Sequence, residues 1–125
     1  MSLKVLVVDD DFINRKLIQA ILKRHSGTIG EVLEAENGSE ALSVLREHPD
    51  IDVILLDILM PILDGKEFLK IFRSEPANSR IPVIVLSTDD TQKSQVLDLG
   101  AEDFLIKPIQ EDKLMERIHH WTQKL

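Results

Sequence analysis

The 125 residues carry 43% apolar and 30% charged side chains with only five Gly and five Pro, the make-up of one ordinary globular domain with enough chain to bury a core. Fifteen basic residues against twenty-two acidic ones leave a net charge of -7, and no basic cluster is visible, which argues against direct binding to nucleic acid. There is no cysteine for a disulfide or thiolate metal site, and no apolar run approaches the ~20 residues that cross a bilayer, so the expected setting is the cytoplasm, away from membranes.

Val5-Leu6-Val7-Val8 is apolar at every position and predicts an interior strand covered on both faces. It runs into Asp9-Asp10-Asp11, and the last of these reads as the cap of a helix with Ile13, Leu17, Ile18, Ile21 and Leu22 at helical spacing. Val32-Leu33-Glu34-Ala35 includes a charge, as a partly wetted edge strand would. A second helix holds Ala41, Leu42 and Leu45. The run Val53-Ile54-Leu55-Leu56 then predicts a buried strand that delivers Asp57 to its open end. Asp64-Gly65 reads as a turn and cap ahead of a helix with Phe68, Leu69 and Phe72.

Val83-Ile84-Val85-Leu86 is a further interior strand, ending at Ser87-Thr88. A weaker helix from Thr91 to Leu99 is closed by Gly100. Phe104-Leu105-Ile106 is a short fifth strand ending at Lys107-Pro108, and a last helix spans Glu111 to Lys124 with Leu114, Ile118 and Trp121 on one stripe. Trp121 reads as a packing residue or partial interface anchor. His25, His48, His119 and His120 show no metal-ligand spacing and are expected at the surface.

Strands alternating with helices predict an α/β fold, a doubly wound (βα)5 unit whose five-stranded parallel sheet has right-handed crossovers. With the second strand at an edge, the order is 2-1-3-4-5, flavodoxin-like, and its switch point lies between strands one and three. The carboxyl ends of four strands then present Asp9, Asp10 and Asp11; Asp57; Ser87 and Thr88; and Lys107 on one rim. Neighbouring strands lie about 4.8 Å apart, so carboxylates from strands one and three can share a hard cation while a hydroxyl and an ammonium approach from strands four and five. That set suits phosphoryl chemistry, with an aspartate as nucleophile.

The pieces LVVDD (6–10), LLDILMPILDG (55–65), PVIVLS (82–87) and LIKP (105–108) stand in the order and spacing of response regulator receiver domains of two-component systems, which the whole chain resembles. The resemblance implies one receiver domain over 1–125, a signalling switch that catalyses its own phosphorylation and slow dephosphorylation. In it, Asp57 takes a phosphoryl group from a histidine kinase or histidine phosphotransfer protein. It implies Mg2+ (or Mn2+) held by Asp10, Asp57 and the backbone oxygen of Leu59, with Asp9 assisting through water. Lys107 would pair with phosphoryl oxygens and Ser87 would donate to one of them. As Ser87 moves, Phe104 would turn inward and alter the surface of the fourth helix, fifth strand and fifth helix, read by an output partner or fused effector. A cis Lys107-Pro108 bond would aim the lysine.

Three positions depart from the family's commoner residues. Ser87 stands for threonine, Phe104 for tyrosine, and Thr88 brings a branched side chain where alanine or glycine is usual, which bears on phosphoryl lifetime. Two other readings fit parts of the chain. One is a receiver-like scaffold that binds partners without being phosphorylated. The other is a haloacid-dehalogenase-like phosphohydrolase using VVDDDF, with Asp9 as nucleophile, Asp11 as acid/base and Asp89-Asp90 as metal ligands; it leaves Asp57 and MPILDG unexplained and has no room for a cap domain.

Overall fold

The computed structural model describes residues 2–123. Five strands alternate with five helices: β1 (Leu3–Val8), α1 (Phe12–Lys23), β2 (Ile29–Ala35), α2 (Gly38–Glu47), β3 (Val53–Leu56), α3 (Gly65–Ser74), β4 (Val83–Ser87), α4 (Lys93–Asp98), β5 (Asp103–Ile106) and α5 (Glu111–Thr122). Short 3-10 turns lie at Pro76–Asn78 and Asp90–Gln92. All strand pairs are parallel, in the order β2-β1-β3-β4-β5 that the alternation predicts.

Alternation along the strands divides the core in two. Leu6, Val8, Ile54, Leu56, Val83, Val85 and Phe104 face α2, α3 and α4, against Leu45, Phe68, Phe72 and Val96. Val5, Val7, Val53, Leu55, Ile84, Leu86 and Leu105 face α1 and α5, against Ile18, Leu22, Leu114 and Ile118. Wholly apolar strands are therefore needed because both sides are covered. Phe68 and Phe72, one helical turn apart, stack with centroids 5.3 Å apart on the first face.

The first helix turns only part of its apolar set inward. Ile13 and Leu17 are 61% and 60% exposed, as is Phe12 beside them, and the inward stripe is Arg15, Ile18 and Leu22. Apolar residues occur on both sides of this helix, so spacing alone does not choose a face. The fourth helical segment is also divided: the Asp89 carboxylate accepts from Thr91 N–H and sets a 3-10 turn before α4 begins at Lys93. The last helix ends at Thr122, and Lys124 lies outside the described residues.

Two of the expected surface histidines are partly covered. His48 is half-buried at the end of α2. His25 is half-buried, with Nε2 2.7 Å from Glu111 Oε2, tying the end of α1 to the start of α5. His119 and His120 are exposed. Trp121 is half-buried and donates from Nε1 to Asp103 Oδ2 at 2.8 Å, closing α5 over the start of β5.

Candidate functional site

Each element at the site is pinned by its own backbone before any side chain matters. Asp57 N–H donates to the Val8 carbonyl at 2.9 Å, so the end of β3 is locked beside the end of β1. Asp9 N–H donates to Ala35 O at 3.1 Å, and Lys107 N–H to Ser87 O at 2.8 Å. The strand ends on this rim are thus tied to their neighbours at Asp57, Asp9 and Lys107.

Oxygens of Asp9, Asp10 and Asp57 all lie within 4.8 Å of one another. Asp9 is 2% exposed, Asp57 half-buried and Asp10 exposed. Lys107 Nζ lies 3.2 Å from Asp9 Oδ2 and 3.7 Å from Asp57 Oδ1, one ammonium shared by two carboxylates. The other Asp9 oxygen accepts from Asp11 N–H at 2.9 Å, and Asp57 Oδ1 accepts from Ile58 N–H at 2.9 Å. Burial pushes the Asp57 carboxyl up to about 6; Lys107 pulls against that rise, and Asp9 and, to a smaller degree, Asp10 add to it. The Lys107-Pro108 peptide is cis.

Ser87 ends β4. It is buried, and its Oγ accepts from Asp89 N–H at 3.1 Å, which leaves the hydroxyl proton available. Thr88 stands exposed just beyond it. Phe104 is 7% exposed and already turned into the core among the residues facing α2, α3 and α4. Leu59 projects its side chain into solvent two residues past Asp57.

The turn after β3 is tightly made. Gly65 N–H donates to Ile58 O at 2.7 Å, and a Cβ at Gly65 would lie 2.5 Å from Asp57 O and 2.8 Å from Ile58 Cα. Only glycine brings the start of α3 this close to Asp57. Asp64 caps α3 in a reciprocal capping box with Glu67, as a turn and cap rather than a ligand pair. Ile62 has φ 70, a left-handed conformation that is costly for a β-branched residue.

Oxygen-only donors, crowded like charges and a carboxyl raised by burial are what a hard divalent cation relieves, so Asp9, Asp10 and Asp57 fit magnesium. The phosphohydrolase reading finds no such support. Asp11 caps α1, accepting from Ile13 N–H and Asn14 N–H, while Asp89 is occupied by the turn before α4; neither they nor Asp90 join the carboxylate group.

The model of the response regulator receiver domain matches residues 5–119. The chain belongs to that family. Among its relatives, the chemotaxis protein CheY of Bacillus subtilis is 36% identical over 122 residues, covering 95% of this chain and 97% of CheY. A putative response regulator from Chloroflexus aurantiacus superposes with TM-score 0.90 at 28% identity, covering 99% of this chain and all of that one. The receiver domain of a sensor histidine kinase from Pseudomonas aeruginosa, with TM-score 0.85, 27% identity and 98% coverage of each chain, has a magnesium ion coordinated in its active-site cleft. Receiver domains are signalling modules rather than enzymes in the ordinary sense, and among the described residues no helix is long and apolar enough to cross a membrane.

One residue of the site escaped the sequence reading. Arg15 is buried on α1, donating from Nη1 to the Asp9 carbonyl at 2.6 Å and from Nε to Glu34 Oε1 at 2.9 Å. Its signal was a charge three residues before Ile18 and seven before Leu22, on what proves to be the inward stripe.

Proposed function

We propose that this receiver, over its whole length of 1–125, is a phosphoacceptor switch in which Asp57 accepts a phosphoryl group from the phosphohistidine of a histidine kinase or phosphotransfer protein. One observation carries the reading: the half-buried Asp57 carboxylate lies among Asp9, Asp10 and Lys107 at the open end of a buried strand. An Asp57 oxygen attacks phosphorus, the P–O bond forms as the P–N bond breaks, and the donor imidazole leaves with the electron pair and gains a proton. Little covalent work falls to other side chains, so positioning and charge neutralisation supply most of the catalysis. Asp10, Asp57 and the Leu59 carbonyl, with Asp9 assisting through water, would hold magnesium, which would stabilise charge on the phosphoryl oxygens. Lys107 pairs with another of those oxygens, and Ser87 donates its free proton to a third. Thr88, at the mouth, sets access for attacking water and hence the lifetime of the aspartyl phosphate.

Phe12, Ile13 and Leu17 form an exposed apolar face on the helix that starts at the acidic rim, which suits a protein donor. The change that the output partner reads begins at Ser87 and involves Phe104, which is turned inward in this structure, so as to alter the surface of α4, β5 and α5. Phosphorylation favours one state only through contacts it makes there and not in the other. The setting is the cytoplasm. The test is incubation with acetyl phosphate and MgCl2, followed by mass spectrometry. A single phosphate adduct mapped to Asp57, absent in Asp57→Asn and without divalent cation, is the expected result; no adduct, or one retained in Asp57→Asn, overturns the reading.

A further inference from the structure

Asp10 presents a problem that its neighbours do not. Asp9 has both carboxylate oxygens engaged, and Asp57 is held by Ile58 N–H and Lys107, but among the described residues no hydrogen bond or ion pair holds the exposed Asp10 carboxylate. Its position is left to its backbone. The Asp9–Asp10 peptide lies before the helix cap, since the first intrahelical carbonyl belongs to Asp11, which accepts from Arg15 N–H. The Asp9 carbonyl would therefore be an orphan in a buried turn. Arg15 fills that role, its Nη1 2.6 Å from the oxygen.

The guanidinium is itself held. Its Nε bonds Glu34 on β2, and Glu34 also takes Lys16 Nζ at 3.2 Å. Hydrogen bonding led by Gln19 and joined by Arg15 and Lys16 keeps the Glu34 carboxyl down at about 2, so it stays ionised opposite the guanidinium. A rigid fork bridging two fixed points is a task for arginine, which lysine's single ammonium does not reproduce.

We infer that Arg15, anchored by Glu34, is a positioning residue for the cation site: by holding the Asp9 carbonyl it orients the Asp9–Asp10 peptide and so aims the Asp10 carboxylate. Supporting groups behind metal ligands commonly set affinity in this way. The inference rests on the proposed magnesium site.

The sign of the effect separates positioning from simple electrostatics. If Arg15 mattered only through its charge, Arg15→Met would remove a repulsive cation and tighten magnesium, and Arg15→Lys would change nothing. Under positioning, both variants weaken it. The experiment titrates MgCl2 into wild type, Arg15→Lys, Arg15→Met, Glu34→Ala and the Arg15→Lys/Glu34→Ala double variant, following amide shifts of the β1–α1 and β3–α3 turns, with thermal unfolding alongside. The expected result is a Kd raised about tenfold in Arg15→Lys, raised in the same direction in Glu34→Ala, and no worse in the double variant than in Arg15→Lys. Uptake from acetyl phosphate should recover at saturating Mg2+, because the ligand is displaced and not removed. Wild-type affinity in Arg15→Lys, tighter binding in Arg15→Met, or a rate that Mg2+ does not restore in a folded Arg15→Lys overturns the inference. If wild type itself binds no Mg2+, the cation site fails and the inference with it; binding abolished by Asp10→Asn verifies the site independently of Arg15.

Discussion

The two halves of the rim are built differently. At the β1–β3–β5 corner, Asp9, Asp57 and Lys107 are interlocked by side-chain and backbone bonds, backed by Arg15 and closed by Gly65 without room for a methyl group. At the β4–α4 side, the Ser87 hydroxyl accepts one hydrogen bond, Thr88 is exposed, and a 3-10 turn leads into a helix of only six residues whose N-cap side chain makes no capping bond to the helix. The corner is preorganised and the hydroxyl side is lightly held. The proposed switch needs both: fixed charges to receive a phosphoryl group, and a cheaply moved segment to report it.

Substitution should break the two halves unequally. Gly65→Ala forces a Cβ against the Asp57 carbonyl and should cost about 3 kcal/mol, with loss of phosphoryl uptake; urea unfolding that shows little change would mean the turn yields easily. Lys107→Met strands the buried Asp9 beside Asp57 and should cost about 2 kcal/mol, and it should raise the Asp57 titration midpoint above its value of about 6 in a carboxyl-detected NMR titration without magnesium.

Asp57 also predicts a pH dependence. Its carboxyl is raised from 3.8 to about 6, so between those values the folded protein keeps a proton that the unfolded chain releases, and stability falls as pH rises through that window. Asp57→Asn removes this loss. Without magnesium it should be about 1 kcal/mol more stable than wild type at pH 7, allowing for solvent screening, and equal to or less stable than wild type near pH 4. Urea titrations at the two pH values check it.

On the lightly held side the effects shrink. Ser87→Ala should cost under about 1 kcal/mol while shifting the yield or lifetime of the phosphorylated form, measured by mass spectrometry over time. A large unfolding effect there would erase the contrast. Smallest of all, Ile62→Asn should gain about 0.5 kcal/mol by relieving the left-handed backbone in the loop after Asp57, seen as a modest rise in unfolding temperature.

What was legible in the chain follows the same division. Strands buried on both faces must be apolar throughout, so Val5 to Val8, Val53 to Leu56 and Val83 to Leu86 announce themselves, and strand-end residues inherit their places from the topology. The charge on Glu34 marks the edge strand, and that same carboxylate proves to be Arg15's anchor. Residues whose role is a long-range bond were hidden. Arg15 looks like any helix surface charge until the orphan Asp9 carbonyl is in place, and it lies inward with Ile18 and Leu22 while Ile13 and Leu17 face outward. His25 finds Glu111 86 positions away, a distance at which local pattern says nothing.

Two glycines pack against the loop that follows Asp57. Gly65 is seated on the Asp57 carbonyl, and Gly38 N–H donates to Leu63 O at 2.8 Å, with a Cβ there only 2.7 Å from that oxygen. The first turns of α3 and α2 are therefore geared to the same short loop, with no slack of even one atom at either mesh. A side chain added at either glycine would have to push that loop away from its helix.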